Sequence, residues 1–471
     1  MTNYKLTVGL EVHAELKTNT KMFCDSKNDP NEREPNTHVC PICMGHPGTL
    51  PVINKKAVEH VCRVGAALGG VIADFSEFDR KNYFYPDIPK GYQISQYKYP
   101  LVSGGILNNV AITRVHLEED TARSIHKGEE SFVDFNRAGV PLMELVTEPV
   151  IHSAEEAGNF ARELQLLLRT LGVSDANLEK GEMRIEANVS VSKTGEVGTK
   201  YVEVKNIASF KSVERAITYE AARQEKLLEA GEELIKETRG WDDAKQETFS
   251  QRIKEGAAEY RYFPEPDLPK LMLSEIPELS MESLKENLPE LPWEKRARYE
   301  ALGVKAQDVT DLVASFERAT FFDAVVSILK DSAKVKRAVN YLTSDIAGYY
   351  NERSDAVEFE LLTPEAFAAL IEMIDAGEVS SRGAKDILRI LLEKGGEPAE
   401  VAKEHNLFQV EDAGALKSFV LEVIAENPAV VEEYKNGKEV SLKFLIGQGM
   451  KKAKGSANPA ALQTAFLDEI G

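Results

Sequence analysis

The sequence predicts an α+β fold in which strands fill the first part of the chain and helices fill the rest. The first observation is alternation: in the segment Leu6–Leu16 every second residue is apolar, which is typical of a half-buried strand. The second is that the pattern from Trp293 onward is almost wholly helical. Because 471 residues exceed one ordinary core, we expect three domains: a strand-rich domain over 1–292, a helical domain over 293–400 and a small helical tail over 401–471.

Composition narrows the class of protein. The net charge of −20 argues against a general nucleic-acid binder, so any contact with RNA requires a local basic patch. No apolar run approaches the roughly 20 residues that span a bilayer, and the first residues lack an export signal. The 4 cysteines then indicate a reducing compartment. We therefore expect a cytoplasmic protein that does not associate with membranes.

A carboxylate in an apolar row organises the search for a functional site. In the segment Gly139–Pro149, a strand places Glu144 on the same face as Val140, Leu142 and Val146. Burying such a charge is costly unless it is paired, hydrogen-bonded or bound to a cation. A partner for Glu144 must therefore come from elsewhere in the chain.

Two other predicted strands carry candidate metal ligands. Glu11 and His13 lie two residues apart, so they project from the same face about 6–7 Å apart, which suits a divalent cation. The alternative is the solvated polar face of an edge strand. The acids Glu118, Glu119 and Asp120 end the next such strand, either as a hydrated tip or as carboxylates whose repulsion a cation relieves.

Basic residues beside aromatic ones indicate a second kind of contact. Arg80 and Lys81 precede Tyr83-Phe84-Tyr85, a combination that could hold phosphates and stack on a base, or that could simply pack on the sheet. The segment 255–269 is rich in aromatic residues and prolines, which predicts a coil there. In the tail, lysines cluster among glycines over 447–459, which predicts a basic loop for a phosphate backbone or a solubilising turn.

The cysteines form most of a zinc motif. Cys40 and Cys43 make a C-x2-C pair and Cys24 lies upstream, but Ser26 stands where a fourth thiolate would complete the set. Asp25, His38 or His46 are the candidate substitutes. Ordinary free cysteines are the favoured interpretation, and zinc is the alternative.

Known nucleotide motifs do not occur. The chain has neither a G-x-x-x-x-G-K-[ST] phosphate loop nor an opening G-x-G-x-x-G unit. If the chain uses ATP, it must do so through metal ions held by carboxylates and a histidine on strands. Mg²⁺ prefers oxygen ligands, so the acidic strand faces are suitable.

Several long segments, in order, resemble one family: the B subunit of the bacterial aspartyl/glutamyl-tRNA(Asn/Gln) amidotransferase. The resemblance covers essentially the whole chain. The segments that carry it are Val8–His13, Phe78–Asp87, His116–Asp120, Asp134–Pro149 and Tyr260–Pro269. It implies a mainly antiparallel-sheet catalytic domain, a cradle related to glutamine synthetase, followed by a helical domain and a tRNA-binding tail domain.

The resemblance also implies an activity and partners. It predicts a ligase that uses ATP and Mg²⁺ to phosphorylate the side-chain carboxylate of Glu-tRNA(Gln) or Asp-tRNA(Asn). Ammonia from the A subunit, which is an amidase, would then give Gln-tRNA(Gln) or Asn-tRNA(Asn), and a small C subunit would complete a heterotrimer. Two rival functions are a glutamine-synthetase-like ligase acting on a free carboxylate and a non-catalytic scaffold that docks tRNA onto an amidase.

The resemblance finally assigns roles to residues. It implies catalytic and Mg²⁺-binding roles for His13, Glu119 and Glu144, with Glu11 beside them. It also implies Glu186 as an extra acidic residue at the cofactor. Because substrate carboxylate and triphosphate are both anions, we further expect Arg80, Lys81 and Arg184 to contact the cofactor and offset that repulsion. Because many members carry four cysteines in the knuckle, Ser26 is a departure that leaves zinc at Cys24, Cys40 and Cys43 in doubt.

Overall fold

A computed structural model describes residues 4–195, 200–253, 260–353, 359–409, 413–453 and 457–471. It divides the chain into two compact units, residues 1–292 and 293–471. The first unit contains the sheets, and the second is helical. A strand-rich region followed by a helical region confirms the α+β expectation in outline. The further predicted division of the second unit into 293–400 and 401–471 stays a prediction.

The strands of the first unit vary widely in length. They are β1 (Lys5–Glu15), β2 (Val71–Ile72), β3 (Phe75–Ser76), β4 (Asp79–Asn82), β5 (Tyr92–Ser95), β6 (Val102–Ser103), β7 (Ile106–Leu107), β8 (Val110–Glu119), β9 (Arg123–Lys127), β10 (Glu130–Asp134), β11 (Pro141–Thr147), β12 (Met183–Ser192), β13 (Val202–Ile207), β14 (Glu237–Asp242), β15 (Glu247–Ile253), β16 (Phe263–Pro264) and β17 (Leu271–Met272). The longest of them lie next to one another in a single sheet.

That sheet has the order β15-β14-β13-β12-β1-β11-β8-β6-β2, with β7 also paired to β8. Its neighbouring strands run antiparallel except β13 and β14, which are parallel. Smaller sheets pair β10 with β9, β17 with β3, and β16 and β5 with β4. The strand β1 therefore lies near the middle of the large sheet, between β11 and β12.

Helices cover the sheet. Those of the first unit are α1 (Lys55–Ala67), α2 (Ala154–Thr170), α3 (Phe210–Glu229) and α4 (Met281–Glu286). Helix α1 packs on β8 and helix α3 on β12. The apolar row of β1 (Val8, Leu10, Val12 and Ala14) is completely buried, and this alternation leaves Glu11 and His13 on the opposite face. The sheet thus has one face for the core and one face available for polar chemistry.

N-capping residues mark where α1 and α2 begin. Asn54 caps α1 by accepting hydrogen bonds from the amides of Lys56 and Ala57. Ser153 caps α2 by accepting from the amide of Glu156, whose carboxylate in turn accepts from the amide of His152. A polar oxygen that satisfies the free amides of the first turn explains both starts.

The helices of the second unit are shorter on average than those packed on the sheet. They are α5 (Pro292–Ala301), α6 (Ala306–Val313), α7 (Phe316–Leu329), α8 (Ser332–Asn340), α9 (Ala347–Asn351), α10 (Pro364–Asp375), α11 (Ser381–Lys394), α12 (Pro398–Glu404), α13 (Ala413–Glu426), α14 (Pro428–Lys435), α15 (Val440–Lys452) and α16 (Pro459–Ile470), with a π-helical stretch at Tyr341–Ile346. The helices from α13 to α16 share a hydrophobic core that includes Val420, Leu445 and Phe466. Within the part of the chain that the structure describes, no helix is both long enough and apolar enough to cross a bilayer.

Two local expectations were wrong. The lysine-rich tail segment is not a loop over its first half, because α15 continues to Lys452, whose ammonium contacts Glu422 and Glu426. The segment expected as coil before Pro269 contains β16, which pairs with β4. Residues 255–259 of that segment and 454–456 of the tail lie outside the described residues.

Candidate active site

Strand register brings the polar side chains of the sheet together. His13 of β1 lies directly opposite Glu144 of β11, and Glu144 lies opposite His116 of β8. On the other side of β1, Glu11 lies opposite Glu186 of β12. Residues directly opposite each other in antiparallel strands point to the same face with Cβ atoms about 4.5–5.5 Å apart. Four adjacent strands therefore present one continuous polar surface.

Glu144 is the centre of this surface. Its Oε2 lies 3.1 Å from Nε2 of His116 and 3.4 Å from Nε2 of His13, and its Oε1 lies 3.6 Å from Nη2 of Arg114. Burial raises the pKa of this carboxyl, but the charges and hydrogen bonds of His116 and His13 outweigh burial and hold the pKa well below its usual range. The partner that the sequence demanded for Glu144 is thus a pair of imidazoles and a guanidinium.

Further carboxylates surround His13. Its Nε2 lies 3.6 Å from Oε1 of Glu118 and 4.0 Å from Oε1 of Glu11. Burial lowers the pKa of His13, yet Glu144 followed by Glu118 and Glu186 raise it to about 9. Burial and the charge of Glu144 raise the pKa of Glu11 to about 7. The cluster therefore concentrates negative charge and favours any cation placed among its oxygens.

The donor atoms fit a divalent cation. Two overlapping sets have ligand atoms that all lie within 4.8 Å of one another: Glu11, His13 and Glu144, and His116, Glu118 and Glu144. Nδ1 of His13 and Nδ1 of His116 are buried and have no hydrogen-bond partner among the residues that the structure describes. Carboxylate oxygens are the ligands that Mg²⁺ and Mn²⁺ prefer, and imidazole nitrogen is a common ligand of transition metals. We call these five residues the carboxylate–imidazole cluster.

Glu119 does not join this cluster, which corrects the expected convergence of Glu119 with His13 and Glu144. Successive residues of a strand point to opposite faces, so Glu119 lies across the sheet from Glu118. Its Oε1 accepts a hydrogen bond from the amide of Ile94 at 2.9 Å, and the carboxylate pairs with the ammonium of Lys90. Glu118 occupies the position expected for Glu119.

Glu186 belongs to a neighbouring group with a cation of its own. Glu11, Glu186 and Glu203 have oxygens within 4.8 Å of one another. Nζ of Lys205 lies 2.8 Å from Oε2 of Glu186 and 3.7 Å from Oε2 of Glu203. Burial lowers the pKa of Lys205, but Glu186 and Glu203 raise it well above its ordinary value. This ammonium offsets the acidic charge on that side of Glu11.

The three basic residues assigned to the cofactor are placed differently. Arg80 donates to Glu265 at 2.6 and 2.8 Å, and Arg184 donates to Asp120 at 2.9 Å. Both guanidiniums are therefore paired with carboxylates of the protein. Lys81 instead lines the cavity above the cluster, where burial lowers its pKa and Glu118 leads the charges that raise it well above its usual value. Of the three, Lys81 alone has the position of a ligand contact.

That cavity has a volume of about 640 Å³, within the range of small-molecule sites. Its charged lining comprises Glu11, Lys81, Arg114, His116, Glu144, Glu203 and Lys205. The sequence patterns did not assign Arg114, His116 or Lys205 to the site, and they named Glu118 only as one of three acids that could bind a cation. The signal for Arg114, His116 and Glu118 was present, because they alternate along one face of β8. Nothing comparable marked Lys205, whose role depends on pairing between strands.

The cysteines form a separate cluster. The sulfurs of Cys24, Cys40 and Cys43 lie within 4.8 Å of one another, and none of these cysteines forms a disulfide. Oγ of Ser26 lies 3.9 Å from Sγ of Cys43, and so does Nζ of Lys21, which is completely buried. A hydrogen bond from Cys24 leads the causes, ahead of the charge of Lys21, that lower the pKa of Cys43 to about 5.

The fit of this cluster to zinc is incomplete. Among the residues that the structure describes, the cysteine group contains three ligands and includes none of Asp25, His38 and His46. His38 groups instead with Asp29 and Glu32. A structural zinc site has four protein ligands. The ammonium of Lys21 already supplies the positive charge beside Cys43, so zinc at this cluster stays an untested alternative.

Comparisons with known proteins identify the family. The profile described as the GatB/GatE catalytic domain matches residues 6–277, and that described as the GatB domain matches residues 320–470. The B subunit of aspartyl/glutamyl-tRNA(Asn/Gln) amidotransferase from Thermus thermophilus is 46% identical over 99% of each chain. The protein of the same description from Rippkaea orientalis is 43% identical, and the match covers 97% of this chain and 96% of the relative. That from Carboxydothermus hydrogenoformans is 41% identical, and the match covers 100% of this chain and 99% of the relative. The chain therefore belongs to the family of aspartyl/glutamyl-tRNA(Asn/Gln) amidotransferase B subunits.

Proposed function

We propose that the chain is the phosphorylating subunit of a tRNA-dependent amidotransferase, an ATP-dependent ligase that acts within a complex. Its substrates are Glu-tRNA(Gln), Asp-tRNA(Asn) or both, in accordance with the names of its relatives. The observation that carries the proposal is the position of buried Glu144 between two imidazoles at the base of a nucleotide-sized cavity. We place the reaction in the cytoplasm and take the sheet unit to be the glutamine-synthetase-like cradle.

The chemistry explains why ATP is needed. A carboxylate is a poor electrophile because its oxygen is a poor leaving group. An oxygen of the substrate's side-chain carboxylate attacks the γ-phosphorus of ATP, ADP departs, and an acyl phosphate forms. Ammonia then attacks the acyl carbon, and phosphate leaves with the electron pair of the C–O bond. The product is the side-chain amide, still attached to tRNA.

Residues of the cavity would reduce the electrostatic repulsion between the two reactants of the first step. Substrate carboxylate and triphosphate are both anions, and their approach is unfavourable unless positive charge lies between them. When bound at the carboxylate–imidazole cluster, Mg²⁺ would neutralise and orient the phosphates. Lys81 and Arg114, which both line the cavity, hold further positive charge at its wall. His13 and Glu144 keep the donor atoms of the cluster fixed through their mutual contact.

Ammonia must come from another chain in this proposal. The sequence carries no G-G-S-S-G-G-type amidase signature, and we propose an amidase (the A subunit) and a small C subunit as partners.

The helices of 413–470 have their own core, and we propose that they bind the tRNA. Removing residues 412–471 should raise KM for charged tRNA while leaving glutamine hydrolysis by the amidase partner intact. Unchanged tRNA kinetics would contradict the tail assignment.

An isotope experiment tests the reaction itself. The chain is co-purified with its amidase and small partners and given glutamine, ATP, Mg²⁺ and Glu-tRNA(Gln) whose side-chain carboxylate carries ¹⁸O. Phosphorylation of that carboxylate requires one labelled oxygen to appear in the released phosphate for each amide formed. Unlabelled phosphate would overturn the proposal.

Two further outcomes would identify the rival functions. ATP turnover stimulated by a free acid rather than by charged tRNA would indicate a ligase of the glutamine synthetase kind. Binding of charged tRNA with no ATP turnover in the complete complex would indicate a scaffold.

A further inference from the structure

A row of tyrosine rings forms one wall of the cavity. Tyr97 and Tyr262 are stacked, with ring centroids 4.3 Å apart and an angle of 10° between their planes. The ring centroid of Tyr260 lies 6.1 Å from that of Tyr262 and 5.7 Å from that of Tyr83. The ring centroid of Tyr85 lies 5.8 Å from that of Tyr83. We call these five residues the tyrosine wall. All of them except Tyr83 line the cavity directly.

Two of the rings that face the cavity are unusually exposed for their size. Tyr97 is 58% exposed and Tyr85 is 57% exposed. Isolated exposed aromatic residues are common, but here they lie side by side inside a concave site whose floor is charged. A flat apolar surface beside a few fixed polar groups is the usual composition of a small-molecule site.

Buried hydrogen bonds hold Tyr97 in place. The carboxylate of Asp79, which is almost completely buried, accepts from the amide of Tyr97 at 3.0 Å and from the amide of Lys98 at 3.3 Å. Two amides on one buried carboxylate fix the turn that carries the ring. These contacts fix the backbone from which the ring of Tyr97 projects.

The other half of the wall is held from β4. The amide of Asn82 donates to the carbonyl of Tyr260 at 2.9 Å, and its side chain donates to the carbonyl of Arg261 at 2.9 Å. The paired hydrogen bonds from Arg80 to Glu265 anchor the same segment a few residues beyond the wall. Arg80, expected from the sequence to contact the cofactor, thus stabilises the segment that carries two of the rings.

Lys81 connects this wall to the acidic floor. Its Nζ lies 5.1 Å from the centroid of the Tyr260 ring, within the range of a cation–π contact. The carboxylates of Glu118 and Glu144 also act on this ammonium. A ligand that lays a flat ring on the wall would bring an attached anionic group toward Lys81 and the carboxylate–imidazole cluster.

We infer that Tyr97 and Tyr262 form a stacking platform for an adenine ring in the cavity that contains the cluster. The inference rests on the proposed function, because ATP and the terminal nucleoside of the substrate tRNA both present adenine. Stacking on an aromatic side chain is a general way to hold a base where no phosphate loop is available. Both sources share this chemistry, and the experiment separates them.

The variants remove or keep the ring. Tyr97→Leu and Tyr262→Leu delete the stacking surface, whereas Tyr97→Phe and Tyr262→Phe keep it. Phe132→Leu is the matched control, because Phe132 is 50% exposed on β10 and does not line the cavity. All are made in the full chain and purified with the partner subunits, and thermal melting confirms that each is folded.

Two measurements identify the source of the adenine. The first is the Kd for ATP in the presence of Mg²⁺, compared with that for inorganic tripolyphosphate, which has no base. The second is inhibition by tRNA acceptor-stem fragments with and without the terminal adenosine. We expect the leucine variants to lose about 10-fold in affinity for one adenosine ligand, the phenylalanine variants to retain it, and tripolyphosphate to bind all variants alike.

The possible results are distinct. Weaker ATP binding assigns the platform to the nucleotide, and weaker binding of the adenosine-ended fragment alone assigns it to the tRNA end. If both ligands bind the leucine variants as they bind wild type, the platform is overturned. If the wild-type complex places no ¹⁸O in phosphate, the proposed function fails instead, and the two binding comparisons still decide the platform.

Discussion

The carboxylate–imidazole cluster and the cysteine cluster are two electron-rich groups in the same unit, and they differ in how their charge is balanced. The cysteine cluster contains a buried ammonium, Lys21, 3.9 Å from Sγ of Cys43. The carboxylate–imidazole cluster gathers Glu11, Glu118 and Glu144 around the Nε2 of His13. The first cluster pairs three thiols with one ammonium, whereas the second contains three carboxylates together with two imidazoles that can serve as metal ligands. The donor set therefore favours a divalent cation at the carboxylate–imidazole cluster over zinc at the cysteines.

The largest effect is expected at the centre of the carboxylate–imidazole cluster. Glu144→Gln removes the charge that both His13 and His116 contact, and with it a donor shared by both candidate ligand sets. We expect ATP-dependent amidation to fall by at least about 100-fold while charged tRNA still binds. Steady-state amidation and tRNA binding are the two measurements. Glu130→Gln, on an exposed strand of the same unit, should behave as wild type; wild-type turnover in Glu144→Gln would remove Glu144 from the chemistry.

Two adjacent carboxylates provide a sharper test of the geometry. Glu118 faces the cluster and Glu119 faces Lys90, so exchanging each for glutamine should have different consequences. Glu118→Gln should weaken Mn²⁺ binding by about 10-fold. Glu119→Gln should keep the affinity for Mn²⁺ and lower the melting temperature, because Lys90 loses its buried partner. The reverse pattern would show that Glu119 is the ligand.

A smaller effect concerns the thiols. With the pKa of Cys43 lowered to about 5, its thiolate should form as pH rises through that value and persist at neutral pH. Lys21→Met removes one of the charges that lower this pKa, so the thiolate should appear only at higher pH. Ultraviolet absorbance of the thiolate during a pH titration measures the shift, and Cys43→Ser identifies the signal. An unchanged titration in Lys21→Met would show that the ammonium does not balance the thiolate.

The smallest effect is expected from metal chelation at the cysteine cluster. Because the cluster has three thiols and its own ammonium, a zinc chelator should leave the melting temperature unchanged, and elemental analysis should find zinc well below one atom per chain. A large loss of stability on chelation would mean that a fourth ligand, such as Ser26, completes a zinc site.

Local patterns predicted much of the framework. Alternation located β1 and β11 and the acidic end of β8, because side-chain direction along a strand depends on neighbours in the chain. The same alternation put Glu11 beside His13 and Glu144 in a buried row. These features require no knowledge of which strands pair.

The remaining features depend on contacts between distant segments. The pairing of β1 with β11 and β12 decides that His13 meets Glu144 and that Glu11 meets Glu186. The pairing of Arg80 with Glu265 could not be predicted, because the two residues lie 185 positions apart in sequence. The choice between Glu118 and Glu119 depended on which face of β8 meets His13 and Glu144, and the pairing of β1, β11 and β8 decides that.

Direct binding of a divalent cation tests the central claim. Mn²⁺ titrated into the full chain, and followed by electron paramagnetic resonance, should bind to wild type and be displaced by Mg²⁺. Binding should be lost in Glu144→Gln and in His13→Ala, with Glu130→Gln unaffected. Equal binding by wild type and Glu144→Gln, or no specific binding by wild type, would contradict the claim that this cluster holds the metal.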